Sequence, residues 1–176
     1  MTFRGKFLFF AIAAALAAID LLSKRWAFDW VSTDGVSSEL HGGEKAIPII
    51  PGFFYLTRVW NPGGIWGIAQ TGNLSTALIV FRAIAIPAIV YLLLRTPASD
   101  KLLLLALTLF CAGAVGNLYD NLVFEKGVRD FLDFYLVGEH GYHWPTFNVA
   151  DSCISSGVIL VIVEMLFGRR PRPAKH

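Results

Sequence analysis

The stretch Lys101-Leu102-Leu103-Leu104-Leu105-Ala106-Leu107-Thr108-Leu109-Phe110-Cys111-Ala112-Gly113-Ala114-Val115-Gly116-Asn117-Leu118-Tyr119-Asp120 decides the fold. Between its terminal Lys and Asp it carries no charge, and a hydrocarbon core about 30 Å thick asks for a helix of about 20 such residues. Its far end turns polar on one side: Gly113, Asn117 and Asp120 stand at i, i+4 and i+7 and share a helical face. Gly113 and Gly116 leave room for another helix to come close. Runs of the same character lie at 7–28, 74–94 and 149–167. The expected architecture is an all-α membrane protein with four transmembrane helices, at about 7–28, 74–94, 102–120 and 149–167. They form a single membrane domain over 1–176, with outer inserts at 29–72 and 121–147.

Composition agrees with this reading. Of the 176 residues 55% are hydrophobic and 16% charged, whereas a soluble domain would carry more charge on its surface. A formal net charge of +2 is too small to suggest a nucleic-acid partner. Neither Cys111, inside an apolar run, nor Cys153, just after Asp151, has the spacing of a zinc site or a disulfide framework.

The first run starts with Arg4 and Lys6 and has an Ala-rich middle, so Ala15 to Ala17 resembles a signal-peptide cleavage site. The apolar pattern continues through Ile19, Leu21, Leu22 and Trp26, and three more spans follow, which favours an uncleaved helix. Residues 46–68 mix Pro, Gly, β-branched and aromatic side chains and read as short strands and turns, a small β-rich insert. Arg4, Lys6, Arg95, Lys101, Arg169, Arg170, Arg172 and Lys175 flank the spans on one side, which is expected to be cytoplasmic, together with both termini. The inserts then face outward. All five tryptophans, Trp26, Trp30, Trp60, Trp66 and Trp144, fall on that outer side, at the level where amphipathic rings suit the headgroups.

Polar groups at membrane depth are costly and mark candidate functional positions. Asp20 and Lys24, at i and i+4, form an ion pair or border a site. Asn61-Pro62-Gly63-Gly64-Ile65-Trp66-Gly67 reads as a tight loop. Asn117 and Asp120 are interhelical glue or site residues. Asn148 and Asp151 lie one turn apart at the start of the fourth helix, where an acid also suits the helix dipole. Two carboxylates in a low-dielectric site share a proton, and such a pair can polarise a carbonyl while activating water. Asp130, Asp120 or Asp133 could each partner Asp151; spacing leaves the choice open. A zinc site from His140, His143 and the acids is the rival chemistry, without a recognisable ligand spacing. A small transporter with Asp20, Arg82, Asn117 and Asp120 along a polar path is the rival class. It is the reading that best accounts for Arg82 in mid-span.

Taken in order, these segments resemble the lipoprotein signal peptidase (signal peptidase II) family. Asp20-Leu21-Leu22-Ser23-Lys24 matches its Asp-x-x-Ser/Thr-Lys, and 61–67 resembles its Asn-x-Gly-Ala-Ala-Phe/Trp-Gly. Residues 113–120 match its Gly-rich Asn-Leu-Ile-Asp segment, and Asp130-Phe131-Leu132-Asp133-Phe134 its Asp-Phe-Ile-Asp-Phe. Phe147-Asn148-Val149-Ala150-Asp151-Ser152 is nearly identical to its Phe-Asn-Val/Leu-Ala-Asp-Ser. The resemblance implies an aspartyl endopeptidase of the bacterial inner membrane that cuts diacylglyceryl-modified prolipoproteins before the lipidated cysteine, on the outer side. It implies Asp130 and Asp151 as the catalytic pair, with Asp20, Lys24, Asn61, Gly63, Asn117, Asp120 and Asn148 lining or supporting the site. No metal or other cofactor is expected; the partners are the lipid-modified substrates and membrane lipids, and the protein is expected to be a monomer. Two positions depart from the pattern: Asn121 stands where the family has Arg, and Arg129 occupies a usually apolar position, a candidate replacement for that charge.

Overall fold

The computed structural model describes residues 3–37, 45–62, 72–136 and 143–167. Along the chain these form α1 (Phe3–Asp34), β1 (Val36–Ser37), β2 (Lys45–Ile50), β3 (Phe54–Asn61), α2 (Gly72–Arg95), α3 (Lys101–Val123), β4 (Val128–Tyr135), β5 (His143–Phe147) and α4 (Val149–Phe167). All four helices are long and apolar enough to cross a membrane. In water the exposed Phe81, Ile84, Ile159, Met165 and Phe167 on α2 and α4 would be a liability; in a bilayer they are the lipid face.

α1 outruns its apolar run. Nothing between the run's end and Asp34 breaks a helix, so the backbone continues until Gly35, whose N–H still reaches the Val31 carbonyl at 3.1 Å. The helix also passes unbroken through Ala15–Ala17, with Ala13 and Ala17 buried. α2 contains Pro87, which membrane helices tolerate.

α3 is the central helix, more than half buried and packed on α1, α2 and α4, whereas α2 packs mainly on α3 and is far less buried. Small residues make this possible. A Cβ on Gly113 would stand 2.5 Å from the Ala150 carbonyl oxygen and 2.6 Å from Ile154 Cγ1, and one on Gly116 would run into the Asp20 carboxylate. Glycine at these two positions therefore lets α4 and α1 close onto the α3 backbone.

The two inserts join in one antiparallel sheet ordered β1-β2-β3-β4-β5. β3 comes from the first insert and β4 from the second, paired from Phe54↔Phe134 to Asn61↔Val128 with a register shift between Leu56 and Val59. Gly127 makes the return from α3 to β4 at φ +97°, a conformation that favours glycine, and its side-chain position is filled by the Asn61 backbone. The sheet seats itself on α1 through Ala27, Phe28, Val31, Leu56 and Phe131, with Phe28 edge-on to Trp60 at 5.1 Å.

At the other end of the bundle the buried Lys6 ammonium donates to the carbonyls of Leu94 (2.5 Å) and Thr96 (2.8 Å) at the α2 C-terminus. A cation suits that position, where helix carbonyls lack partners.

Gly116→Ala is expected to destabilise the detergent-solubilised protein by about 1–3 kcal/mol, because the added methyl displaces the Asp20 carboxylate. An unchanged thermal unfolding midpoint would mean that α1 is free to back away.

Candidate active site

Four charges are buried together where α1, α3 and β4 meet. Lys24 Nζ lies 2.7 Å from Asp20 Oδ2 and 3.4 Å from Asp120 Oδ2, and donates to Asn117 Oδ1 at 2.8 Å. Asp120 in turn accepts from Arg129 Nη2 at 2.7 Å and from the Arg129 backbone N–H at 3.0 Å, while the guanidinium covers the Phe124 ring. Two anions face two cations, so the cluster is neutral as a whole, the condition under which buried charges are tolerated. The remaining Asp20 oxygen accepts the Ala150 backbone N–H at 2.7 Å. A side chain of α1 thereby takes one of the unpaired first-turn donors of α4.

The start of α4 is organised by a reciprocal cap. Asn148 Oδ1 accepts the Asp151 N–H at 2.9 Å and the Asn148 N–H donates to Asp151 Oδ2 at 3.3 Å, the geometry of a capping box. Asp151 Oδ1 accepts from Asn117 Nδ2 at 2.8 Å. The Asn148 amide also donates from Nδ2 to Asp130 Oδ1 at 2.6 Å, and Asn61 Nδ2 donates to Asp130 Oδ2 at 3.0 Å. One amide, that of Asn148, thus touches both Asp130 and Asp151. Asp130 is almost fully buried and Asp151 is partly open.

This burial, together with the nearby Asp151 charge, pushes the Asp130 carboxyl up to about 7, despite the opposing hydrogen bonds from Asn61 and Asn148 and the Lys24 charge. The pair therefore holds a proton near neutrality. The alternatives left open by spacing are placed elsewhere. Asp120 is engaged by Lys24 and Arg129, and Asp133 is buried across from Tyr55, an odd number of residues from Asp130 along the strand.

Asp20, Lys24, Asn61, Asn117, Asp120, Asn148, Asp130 and Asp151 form one connected network. Gly63 lies outside the described residues, as do Trp66 and His140. Among the described residues, no three His, Cys, Asp or Glu side chains converge as a metal site would require. The proposed transporter path is not continuous: Asp20, Asn117 and Asp120 are paired at one end, and Arg82 turns toward that same end to bond Asn121 Oδ1. Beyond the transporter reading, sequence reasoning had no firm account of Arg82. The signal available was a lone mid-span Arg beside an α3 whose acid-flanking position lacks its usual cation. Arg129, the candidate replacement, is committed to Asp120.

The fold and network define a polytopic membrane protein with a carboxylate pair, one member buried and one partly open, at one end of its helix bundle. Residues 12–167 match the family described as Signal peptidase (SPase) II. A lipoprotein signal peptidase of Sulfurihydrogenibium sp. is 36% identical over 168 residues, 93% of this chain and 94% of its own. One from Francisella tularensis subsp. novicida is 34% identical over 170 residues, 95% and 96% of the two chains. A bacterial membrane enzyme structure obtained by the in meso method at 2.3 Å superposes with a TM-score of 0.73 at 27% identity, covering 99% of this chain and 97% of that one. The chain belongs to the signal peptidase II family.

Replacing Lys24 by Met leaves Asp20 without its cation in a buried setting and is expected to cost about 3–5 kcal/mol, read as loss of folded protein in detergent. A second expectation concerns pH. Because the Asp130 pKa is higher in the folded chain than its ordinary 3.8, its relative stabilisation is complete below about pH 4 and lost as pH rises through about 7. Asp130→Asn should therefore gain on the wild type by roughly 2–4 kcal/mol between pH 4 and pH 8. Parallel stability curves would place the Asp130 proton elsewhere.

Proposed function

We propose that the protein is an aspartyl endopeptidase that removes signal peptides from diacylglyceryl-modified prolipoproteins, cutting on the N-terminal side of the lipidated cysteine. The observation that carries this reading is the Asn148 amide, which holds Asp130 and Asp151 on one hydrogen-bond framework. Asp130, buried and with its carboxyl raised to about 7, carries the shared proton and donates it toward the scissile carbonyl oxygen. Asp151, partly open and fixed by the cap at the α4 N-terminus, takes a proton from the attacking water. Water adds to the carbonyl carbon, and collapse of the tetrahedral intermediate expels the amine of the lipidated cysteine with a proton returned from the pair. Asn117 and Asn61 orient the carboxylates, and Asp20, Lys24, Asp120 and Arg129 hold the framework. The family resemblance adds Gly63 to the supporting residues.

The carboxylates supply both acid and base, so the reaction runs without a metal or other cofactor. The enzyme works as a monomer in the bacterial inner membrane, in contact with its lipids, with both termini cytoplasmic and the sheet and carboxylate pair on the outer side. The basic residues flanking the loop ends opposite the sheet support that orientation. Trp26 and Trp144, exposed on elements at the sheet end, suit the headgroup level.

Purified wild-type protein should release the signal peptide from a synthetic diacylglyceryl lipopeptide at an unchanged rate in the presence of chelator. Asp130→Asn and Asp151→Asn, expressed and folded, should each lower turnover by roughly 10⁴-fold or more, as loss of one member of a paired acid and base does. Full turnover by either variant would discard the pair.

A further inference from the structure

Arg82 lies well inside the membrane-crossing part of α2, where an arginine is costly to keep unless it serves the interior of the bundle. Its side chain leaves the lipid face and hydrogen-bonds Asn121 Oδ1 on α3, directly after Asp120 in the chain. The guanidinium cannot accept, so Asn121 must turn its oxygen toward Arg82 and its amino group away. That amino group is buried, Asn121 being 8% exposed, and among the described residues it has no acceptor. Among the same residues Asn121 is the side-chain acceptor that Arg82 engages, which leaves further guanidinium donors open. The carboxylates that act on the Arg82 charge are Asp151 and Asp130. A cation and a buried amide therefore stand one helical turn along α3 from Asn117, which holds Asp151, with donors to spare and, among the described residues, no acceptor to receive them.

We propose that Arg82 and Asn121 form a donor pair that binds a backbone carbonyl oxygen of the precursor beside the scissile bond, with Arg82 as a substrate-positioning residue. This rests on the peptidase reading above. A peptide carbonyl has the chemistry the pair lacks: an uncharged acceptor with two lone pairs, brought in dry and satisfied by two donors converging from different helices. The arrangement also explains the departure at Asn121. Where the family resemblance leads one to expect an α3 arginine, this chain carries the cation on α2 and uses the α3 amide to bracket it. The other charged groups around the carboxylate pair, Lys24 from α1, Asp120 from α3 and Arg129 from β4, are engaged with one another.

The test uses full-length protein in detergent and a synthetic diacylglyceryl lipopeptide, with KM, kcat and the pH profile measured separately. Arg82→Met should raise KM by about 10- to 100-fold, the effect of losing a charged hydrogen bond to a buried acceptor. It should also move the pH profile upward, because a cation that favours ionised carboxylates has been removed. Adding Asn121→Arg to Arg82→Met returns a guanidinium to the same place from the neighbouring helix and should recover both KM and the pH profile. Arg82→Lys keeps the charge and hence the fold; it should keep the pH profile yet raise KM severalfold, since an ammonium lacks the forked donors. Unchanged KM in Arg82→Lys and Arg82→Met, with Asp130→Asn inactive, overturns the donor pair and leaves the peptidase reading standing. A wild-type protein that cleaves no lipopeptide overturns both.

Discussion

A charge that leaves water must be neutralised where it lands, and in this protein that requirement ties the bundle together. Lys24 cannot stay buried without Asp20 and Asp120, and Asp120 cannot accept the second cation, Arg129, unless β4 returns to the end of α3. Asp20 then extends the constraint to α4 by taking the Ala150 N–H. Three helices and a strand are held by groups that lose far more by separating than any surface ion pair would, because there is no solvent to receive them. The glycines of α3 are the steric counterpart of this cluster. Without the close approach at Gly116, the Asp20 carboxylate would have nowhere to sit.

Hydrogen-bond direction adds a second layer of order. Lys24 only donates, so Asn117 must present its oxygen there and its amino group to Asp151. Asn148 Oδ1 is taken by the Asp151 N–H, so its amino group faces Asp130. Each amide has one orientation open to it, and the two candidate catalytic carboxylates inherit theirs. Asp151 closes the first turn of α4 and, in the proposed mechanism, also faces the reaction. A site built on a helix terminus and a strand is held more firmly than one built on loops.

Much of the fold was legible because a bilayer leaves few choices: apolar runs of sufficient length become helices, and their small residues become contacts. The real extent of α1 was not, since an apolar run reports where lipid is rather than where a helix stops; Gly35 is the stop. The insert was readable as strands and turns, but not its pairing with β4. That contact joins residues some seventy positions apart, and no local pattern encodes it. In the site, the Asn148–Asp151 spacing announced a shared face, and helix geometry alone supplies the cap. The partner of Asp151 stayed open until family resemblance pointed to Asp130, because the answer depends on the turn at Gly127 and on strand parity. Arg82 was opaque for a similar reason: its acceptor, Asn121, belongs to another helix.

The two buried lysines of α1 have one more consequence. Lys6 is fixed to the end of α2 and Lys24 to the end of α3, so neither can slide along the helix axis. The rise of an α-helix puts them about 27 Å apart, close to the thickness of a hydrocarbon core. Together they act as a ruler that sets which bilayers this molecule fits. A thicker or thinner membrane would have to deform around it, since the helix itself has no slack with which to adapt.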